Sequence, residues 1–311
     1  MDKRSKIEKL FSKDGFWLLL YYLAEKTKVV DLLSDELFTR LQFRAHEGSI
    51  LHLKNPVTYN EKVNWLKLYD HNPIYPVLVD KYLVKDYVSE KIGSEYIIPN
   101  LGIWDSFEDI DFSQLPNQFV LKTNHSGGNT GVVICRNKAT FDYKDAKRKL
   151  DISLATNTYK VSREWPYKNI RRRILAEQYM EDIRTSELRD YKFFCFDGTV
   201  KALFVASGRQ NHKEPYFDFF DDNYNHLELR CDHPQAVITP EKPISFEKMK
   251  NIASTLSRGF PHMRVDLYEI NGRIYFGELT LYHWEGQMKF YPNSWNYKFG
   301  SWLNLPKESR L

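Results

Sequence analysis

Asn271-Gly272 stands between two largely apolar runs, Met263–Ile270 and Arg273–Leu279. An Asn-Gly pair adopts the two left-handed conformations of a type I′ turn at little cost, and that turn matches the twist of paired strands. The pattern predicts an antiparallel hairpin. Asp197-Gly198 makes the same prediction for Tyr191–Phe196 with Thr199–Val205. Strand-like runs also occur at Tyr96–Ile98, Gln118–Lys122, Val132–Cys135 and Arg173–Gln178.

The first 70 residues read differently. Apolar side chains recur at three- and four-residue spacings in Val29–Phe43 and Val63–Leu68, the signature of helices. Thr58-Tyr59-Asn60-Glu61 has the spacing of a capping box and predicts a helix start. Pro73 and Pro76 mark a turn, Leu78–Lys91 reads as one helix ending at Gly93, and Tyr143–Thr156 and Ser245–Arg258 read as two more. The expectation is a helical front followed by an α+β body built on antiparallel hairpins.

A formal charge of +4 over 311 residues, with acids and bases intermixed, argues against a dedicated nucleic-acid binder. Cys135, Cys195 and Cys231 are odd in number and widely spaced, so they predict neither a disulfide framework nor a CxxC metal site, and a reduced cytosolic setting fits. Phe16–Ala24 is an apolar run of about nine residues, far short of the ~20 needed for a membrane span. It reads as a buried or amphipathic helix. The sharper alternative is a peripheral membrane contact, since Trp17, Tyr21 and Tyr22 are interface-type residues.

Three stretches carry chemistry. In Phe119–Ile134 a strand reaching Lys122 runs into Ser126-Gly127-Gly128, then Gly131 and a second strand. Glycines let backbone N–H groups approach an anion and the lysine adds charge, which suits phosphate, although the pattern is no Walker A loop. In the Asn271-Gly272 hairpin, Asp266 and Glu278 fall on adjacent strands, where paired carboxylates repel unless a cation or proton lies between them. Mg²⁺ completed by phosphate oxygens would suit them, with Arg264 on a phosphate. Solvated carboxylates are the plainer reading, but apolar Val265, Leu267, Phe276 and Leu279 weigh against it. Third, the strand Ile174–Gln178 carries Glu177, a carboxylate for an adenine amine, and Lys192 alternates with apolar residues in Asp190–Phe194. Each of these two alone reads as an ordinary strand-edge charge.

In order, these features resemble the ATP-grasp superfamily, and most closely its TupA-like branch, associated with bacterial cell-surface polysaccharide and teichuronopeptide biosynthesis. The likeness spans roughly residues 55 to 305. It rests on Asn60-Glu-Lys-Val-Asn-Trp-Leu-Lys-Leu68, Asp80-Lys81, Leu115–Lys122, Asp190–Gly198, Arg264-Val-Asp266 and Tyr275–Thr280. The resemblance implies two α+β subdomains clasping ATP. The corresponding expectation is a helical region at 1–70 and an ATP-grasp domain at 71–311, with a lid at about 117–178 and a metal-binding part at about 179–305.

The resemblance also implies roles. Lys81 and Lys122 would contact ATP phosphates, and Ser126, Gly127, Gly128 and Gly131 would form the lid over them. Glu177 would meet the adenine with Tyr179 beside it, and Lys192 would aim at the triphosphate. Arg264 would stabilise the transferring phosphate, Asp266 and Glu278 would hold Mg²⁺, and Arg209 and Asn211 would lie near substrate or phosphate.

Two departures stand out. Glu278-Leu-Thr280 replaces the usual Glu-x-Asn, which puts Thr280 in doubt as a third ligand. A bulky Leu281–Gly286 loop replaces a small glycine-rich one. The implied activity is ATP- and Mg²⁺-dependent joining of a carboxylate to an amine, in the cytoplasm or at the inner face of the membrane. A glycosyltransferase is the principal alternative, though Asp221-Asp222 makes a poor nucleotide-sugar motif; a kinase on the same fold would share the ATP residues, and a binding or scaffold protein with a dead site is the non-enzyme option.

Overall fold

The computed structural model describes residues 13–128, 130–183, 188–208 and 214–307, which divide into two compact units. Among the described residues, the first comprises those of 13–71, 159–165 and 282–307, and the second those of 72–158 and 166–281.

In the first unit, helix α1 (Lys13–Lys26) packs on α2 (Asp35–Glu47), where Tyr21 meets Phe38 edge-on at 6.1 Å. Ser34 caps α2 through its side chain, and only a short 3₁₀ turn at Val29–Leu32 precedes it. Helix α3 (Tyr59–Tyr69) begins at the expected capping box, with Thr58 and Glu61 each satisfying the other's backbone N–H. A C-terminal helix, Ser294–Trp302, closes on α3 through Phe299, 5.6 Å from the fully buried Tyr59. No reading of the sequence had marked that helix. Among the described residues, no helix is long and apolar enough to cross a membrane.

The second unit opens with a departure from expectation. Leu78–Lys91 is not one helix: α4 (Tyr75–Val79) stops, Asp80–Leu83 turns, and α5 (Val84–Ile92) follows. The Asp80 carboxylate accepts the N–H groups of Tyr82 and Leu83 at 2.8 and 3.2 Å, the local bond by which Asp competes with continuous helix. Lys81 therefore sits in a break, not inside a helix.

Two antiparallel sheets follow. The first has the order β1 (Asn100–Trp104), β4 (Ile174–Gln178), β2 (Phe119–Thr123), β3 (Val132–Cys135), and its core includes Phe119, Leu121 and Ile174 with Leu150 of α6 (Tyr143–Ala155). The expected strand at Tyr96–Ile98 is instead a 3₁₀ turn, Ser94–Tyr96, leading to β1. The second sheet has the order β7 (Tyr216–Asp221), β6 (Thr199–Ser207), β5 (Asp190–Phe196), β8 (Met263–Ile270), β9 (Arg273–Thr280).

Strand β5 lies inside this sheet and is buried throughout, while α7 (Phe246–Ser257) packs its apolar face on it. Both expected hairpins form, with Asp197, Gly198, Asn271 and Gly272 at φ of 46°, 75°, 50° and 76°. The α+β architecture is thus as expected, and β7 is an added edge strand.

Candidate active site

Pairing in the second sheet puts three charged residues in line. Lys192 on β5 stands opposite Asp266 on β8, and Asp266 stands opposite Glu278 on β9. A bulge follows at once, because Gly277 has no counterpart between Asp266 and Leu267. A side chain at Gly277 would press on the Tyr268 ring at 3.0 Å. Arg264 lies two residues before Asp266, hence on the same face, with Thr280 opposite it.

These groups bind one another closely. Arg264 grips Asp266 through Nε and Nη2, both at 2.7 Å, and reaches Glu278 at 3.8 Å. The Lys192 ammonium is shared between Asp266 and Asp190, the latter at 2.6 Å. Lys81 enters from the break after α4. Its Nζ donates to Glu278 Oε1 at 2.7 Å and to the Ser126 carbonyl at 2.6 Å. Burial would raise the Glu278 carboxyl, but Lys81, Arg264 and Lys192 outweigh it and hold the group at about 2. Burial would likewise discharge Arg264, yet Asp266 and Glu278 keep it charged by raising its pKa.

A second cluster lies on the first sheet. Glu177 and Lys122 occupy the same face of β4 and β2, since Glu177 pairs with Val120, two residues before Lys122. The Glu177 carboxylate takes Lys122 on one oxygen and Lys85, at 2.7 Å, on the other. Burial opposes its charge, but the two lysines prevail and hold it at about 2. Lys85 also donates to the Ile98 carbonyl at 2.9 Å. Two cations on one carboxylate leave a net positive charge able to receive an anion.

The glycine loop runs on from β2. Gly127 and Gly128 are exposed, and a Cβ on either would meet nothing within 4 Å; Gly128 has φ of 58°. Gly131 is packed instead, and a Cβ there would fall 2.3 Å from Ser153 Oγ and 2.4 Å from Thr123 Oγ1. The Ser126 hydroxyl is turned inward and receives the Thr123 hydroxyl at 2.8 Å, so Ser126 meets Lys81 only through its backbone. Tyr179 follows β4, and its buried hydroxyl has no hydrogen-bond partner among the described residues. Arg209 and Asn211 lie outside the described residues.

Among the described residues, no group of three or more His, Cys, Asp or Glu side chains is arranged to hold a metal. The donor chemistry nevertheless fits a divalent ion whose shell is completed by phosphate. Asp266 and Glu278 supply two hard oxygen donors in register, and Glu278 stays partly exposed. Thr280 shares the Glu278 face two residues on, opposite Arg264. Asp221 is no candidate, because its carboxylate accepts the backbone N–H groups of Asn223 and Asn225 in its own turn.

Four residues of the site escaped sequence reasoning. Asp80 anchors Asn124 Nδ2 at 2.6 Å, and Asn124 in turn accepts the Arg173 N–H at 2.8 Å, fixing the end of β2 against β4. Asp190 shares Lys192, and Lys85 shares Glu177. Asp-Lys followed four residues later by lysine, in Asp80–Lys85, was the available signal for Lys85.

Among curated proteins, none matches the chain. Solved structures of low similarity include the D-alanine–D-alanine ligase of Bacillus anthracis (18% identity, TM-score 0.40, 71% of this chain and 64% of that one). Others are the ATP-grasp ligase PsnB with its minimal precursor (10%, 0.38, 67% and 53%) and the N5-carboxyaminoimidazole synthetase of Staphylococcus aureus with ADP (14%, 0.39, 76% and 54%). The chain spans less than two thirds of the length of each. The model of the TupA-like ATPgrasp family matches residues 61–304. That stretch contains every charged residue of both clusters, and by it the chain belongs to the TupA-like ATP-grasp family.

Proposed function

We propose that the protein is an ATP- and Mg²⁺-dependent carboxylate–amine ligase working through an acylphosphate. The observation that carries this reading is the line Lys192–Asp266–Glu278, flanked by Arg264 and tied by Lys81 to the start of the glycine loop. A carboxylate oxygen of the first substrate attacks the γ-phosphorus of ATP, the bond to the β,γ-bridging oxygen breaks, and ADP leaves. The amine of the second substrate then attacks the acyl carbon. The carbon–oxygen bond to phosphate breaks, phosphate departs, and the nitrogen loses a proton.

The residues act mainly by position and charge. Lys122 and Lys85, oriented by Glu177, receive phosphate oxygens, with Glu177 and Tyr179 beside the adenine. Lys81 moves its ammonium from Glu278 to the phosphates, which frees that carboxylate for the metal. Arg264 and Lys192 face the transferring group. Asp266 and Glu278 would hold Mg²⁺, with Thr280 at the margin, and the ion supplies charge neutralisation at the phosphates. Gly127 and Gly128, open on all sides, give the backbone freedom to close over them and exclude water.

The carboxylate substrate we infer is a uronic-acid-containing cell-surface glycan or its precursor. Incubation with ATP, Mg²⁺, uronic acids and amines should release one ADP and one phosphate per amide. Hydroxylamine should trap an acyl hydroxamate when the amine is withheld. Sugar transfer with release of a sugar-derived nucleotide, no ATP use and no hydroxamate would replace this reading with a glycosyltransferase.

We also propose that α1 rests on an anionic membrane surface. Its outward stripe of Phe16, Leu19, Leu20 and Leu23 follows the i, i+3, i+4, i+7 spacing and is 39–58% exposed. The chain before it carries Lys3, Arg4, Lys6 and Lys9 against Asp2 and Glu8, which complements anionic lipid. Flotation with phosphatidylglycerol vesicles should carry the protein, and Leu20→Asp with Leu23→Asp should abolish it. No flotation, or flotation indifferent to these changes, refutes the proposal.

A further inference from the structure

In the motif Asn60–Lys67, three side chains do one job. Asn60, Asn64 and Lys67 line one face of α3 and are at most 1% exposed. Asn60 Nδ2 donates to the Met288 carbonyl at 2.8 Å, Asn64 Nδ2 to the Gly286 carbonyl at 2.9 Å, and Lys67 Nζ to the Glu285 carbonyl at 3.3 Å. They clasp a loop that is otherwise unfavourable. Trp284 and Glu285 are consecutive non-glycine residues at φ of 44° and 57°, each a conformation costing on the order of 1–3 kcal/mol. Gly286 follows at 74°, and a Cβ there would strike Asn64 Nδ2 at 2.4 Å. Backbone held under such strain commonly serves a site.

The clasped loop turns Trp284 and Glu285 to a cavity of about 420 Å³, whose other walls include Tyr21, Tyr22, Glu25 and Gln42. Its polar groups are already linked. Gln42 Nε2 donates to Glu285 Oε2 at 2.9 Å and to the Tyr21 hydroxyl at 3.4 Å, and that hydroxyl donates to Glu25 Oε1 at 2.7 Å. Gln42 is 4% exposed, and its Oε1, like Nε2 of Gln287 in the same wall, has no hydrogen-bond partner among the described residues. The cavity thus has a carboxylate at each end of the chain, aromatic faces, and one acceptor and one donor left over. Burial pushes the Glu285 carboxyl up, and Lys67 behind the loop opposes that shift and favours the carboxylate.

Two carboxylates and aromatic faces attract an ammonium group by charge-assisted hydrogen bonds and cation–π contact. Unpaired amide atoms suit hydroxyls, which both donate and accept. The volume is that of a small-molecule site. We propose that this cavity binds a hydroxylated primary amine of amino-sugar size.

The probe is D-glucosamine, titrated without ATP and followed by calorimetry and tryptophan fluorescence. Saturable binding should weaken at least tenfold in Glu285→Gln and Trp284→Ala, and glucose or glucuronate should bind at least tenfold more weakly than glucosamine. Tyr22→Ala, at an exposed position, should weaken binding without loss of the folded state, which covers the case in which a loop variant fails to fold. Absence of glucosamine binding, or binding unaffected by Glu285→Gln and Tyr22→Ala in folded protein, overturns the proposal. Hydroxamate trapping reads the ligase separately. Trapping with no amine binding sinks only the cavity, whereas amine binding with no ATP-dependent trapping sinks only the ligase reading.

Discussion

Asp266 and Glu278 face each other across β8 and β9, and each carboxylate is met by cations from outside that hairpin. Lys192 reaches Asp266 from β5, and Lys81, 197 residues away in the chain, reaches Glu278. Two like charges at this separation destabilise a bare hairpin. Here Lys81 and Arg264 hold Glu278 ionised, while burial pushes the Asp266 carboxyl up against the opposing pull of Arg264 and Lys192.

Removing either kind of charge should stop ATP turnover, but with different costs to the fold. Glu278→Gln and Lys122→Ala change partly exposed side chains, so ADP release should fall ~100-fold or more in protein that still folds, with melting lowered only by the ion pairs each change breaks. Asp266 is 1% exposed between Arg264 and Lys192, and Asp266→Asn should additionally cost about 3–5 kcal/mol in urea unfolding. Wild-type turnover in both Glu278→Gln and Lys122→Ala would remove the site from unit two.

ATP affinity should depend on Mg²⁺. Two carboxylates alone bind the ion weakly, and phosphate oxygens complete its shell. Calorimetry in EDTA should therefore show ATP binding at least tenfold weaker than in Mg²⁺; equal affinities would rule out the carboxylate pair as the metal's seat.

Glu177 should leave a mark on acid stability. Lys122 and Lys85 overcome burial and hold its carboxyl at about 2, below the ordinary 4.5. A group depressed in the folded state stabilises it above the unfolded pKa and loses that contribution as pH falls through the folded pKa. The contribution, about 3 kcal/mol, should vanish between pH 4.5 and 2. Glu278 titrates over the same window, so the difference between wild type and Glu177→Gln isolates Glu177. Parallel urea-stability curves for the two proteins across that window would contradict the double ion pair.

The glycines of one loop should behave oppositely. Gly131→Ala places a methyl 2.3 Å from Ser153 Oγ at φ of 68°, and should cost about 2 kcal/mol or more. Gly127→Ala meets open space at an ordinary φ, and its melting temperature should match wild type while KM for ATP rises. Equal melting temperatures for the two variants would refute this division.

Much of the fold was legible where a local rule was strong. Asn271-Gly272, Asp197-Gly198 and the Thr58–Glu61 capping box each act within a few residues, and each formed as expected. Strands β1 and β7 were not anticipated. Both are edge strands: β1 is mostly half-buried, with no alternation to betray it, and β7 is a nearly continuous aromatic run. The break at Asp80 was missed because helical spacing continues across it, while the capping bond that interrupts it belongs to one side chain.

The sequence by itself determined that Asp266 and Glu278 would share a hairpin, because the turn sets the register of the strands that flank it. It also determined that Lys122 would feed an open glycine loop. Only the tertiary structure decided that Lys85 and Lys122 would share Glu177, that Lys81 would span from Ser126 to Glu278, and that Asn60, Asn64 and Lys67 would clasp residues 285–288. Those partners lie tens to hundreds of residues apart. Local propensity carries no information about such distances, and the pairings arise when burial of the apolar faces fixes which segments pack together.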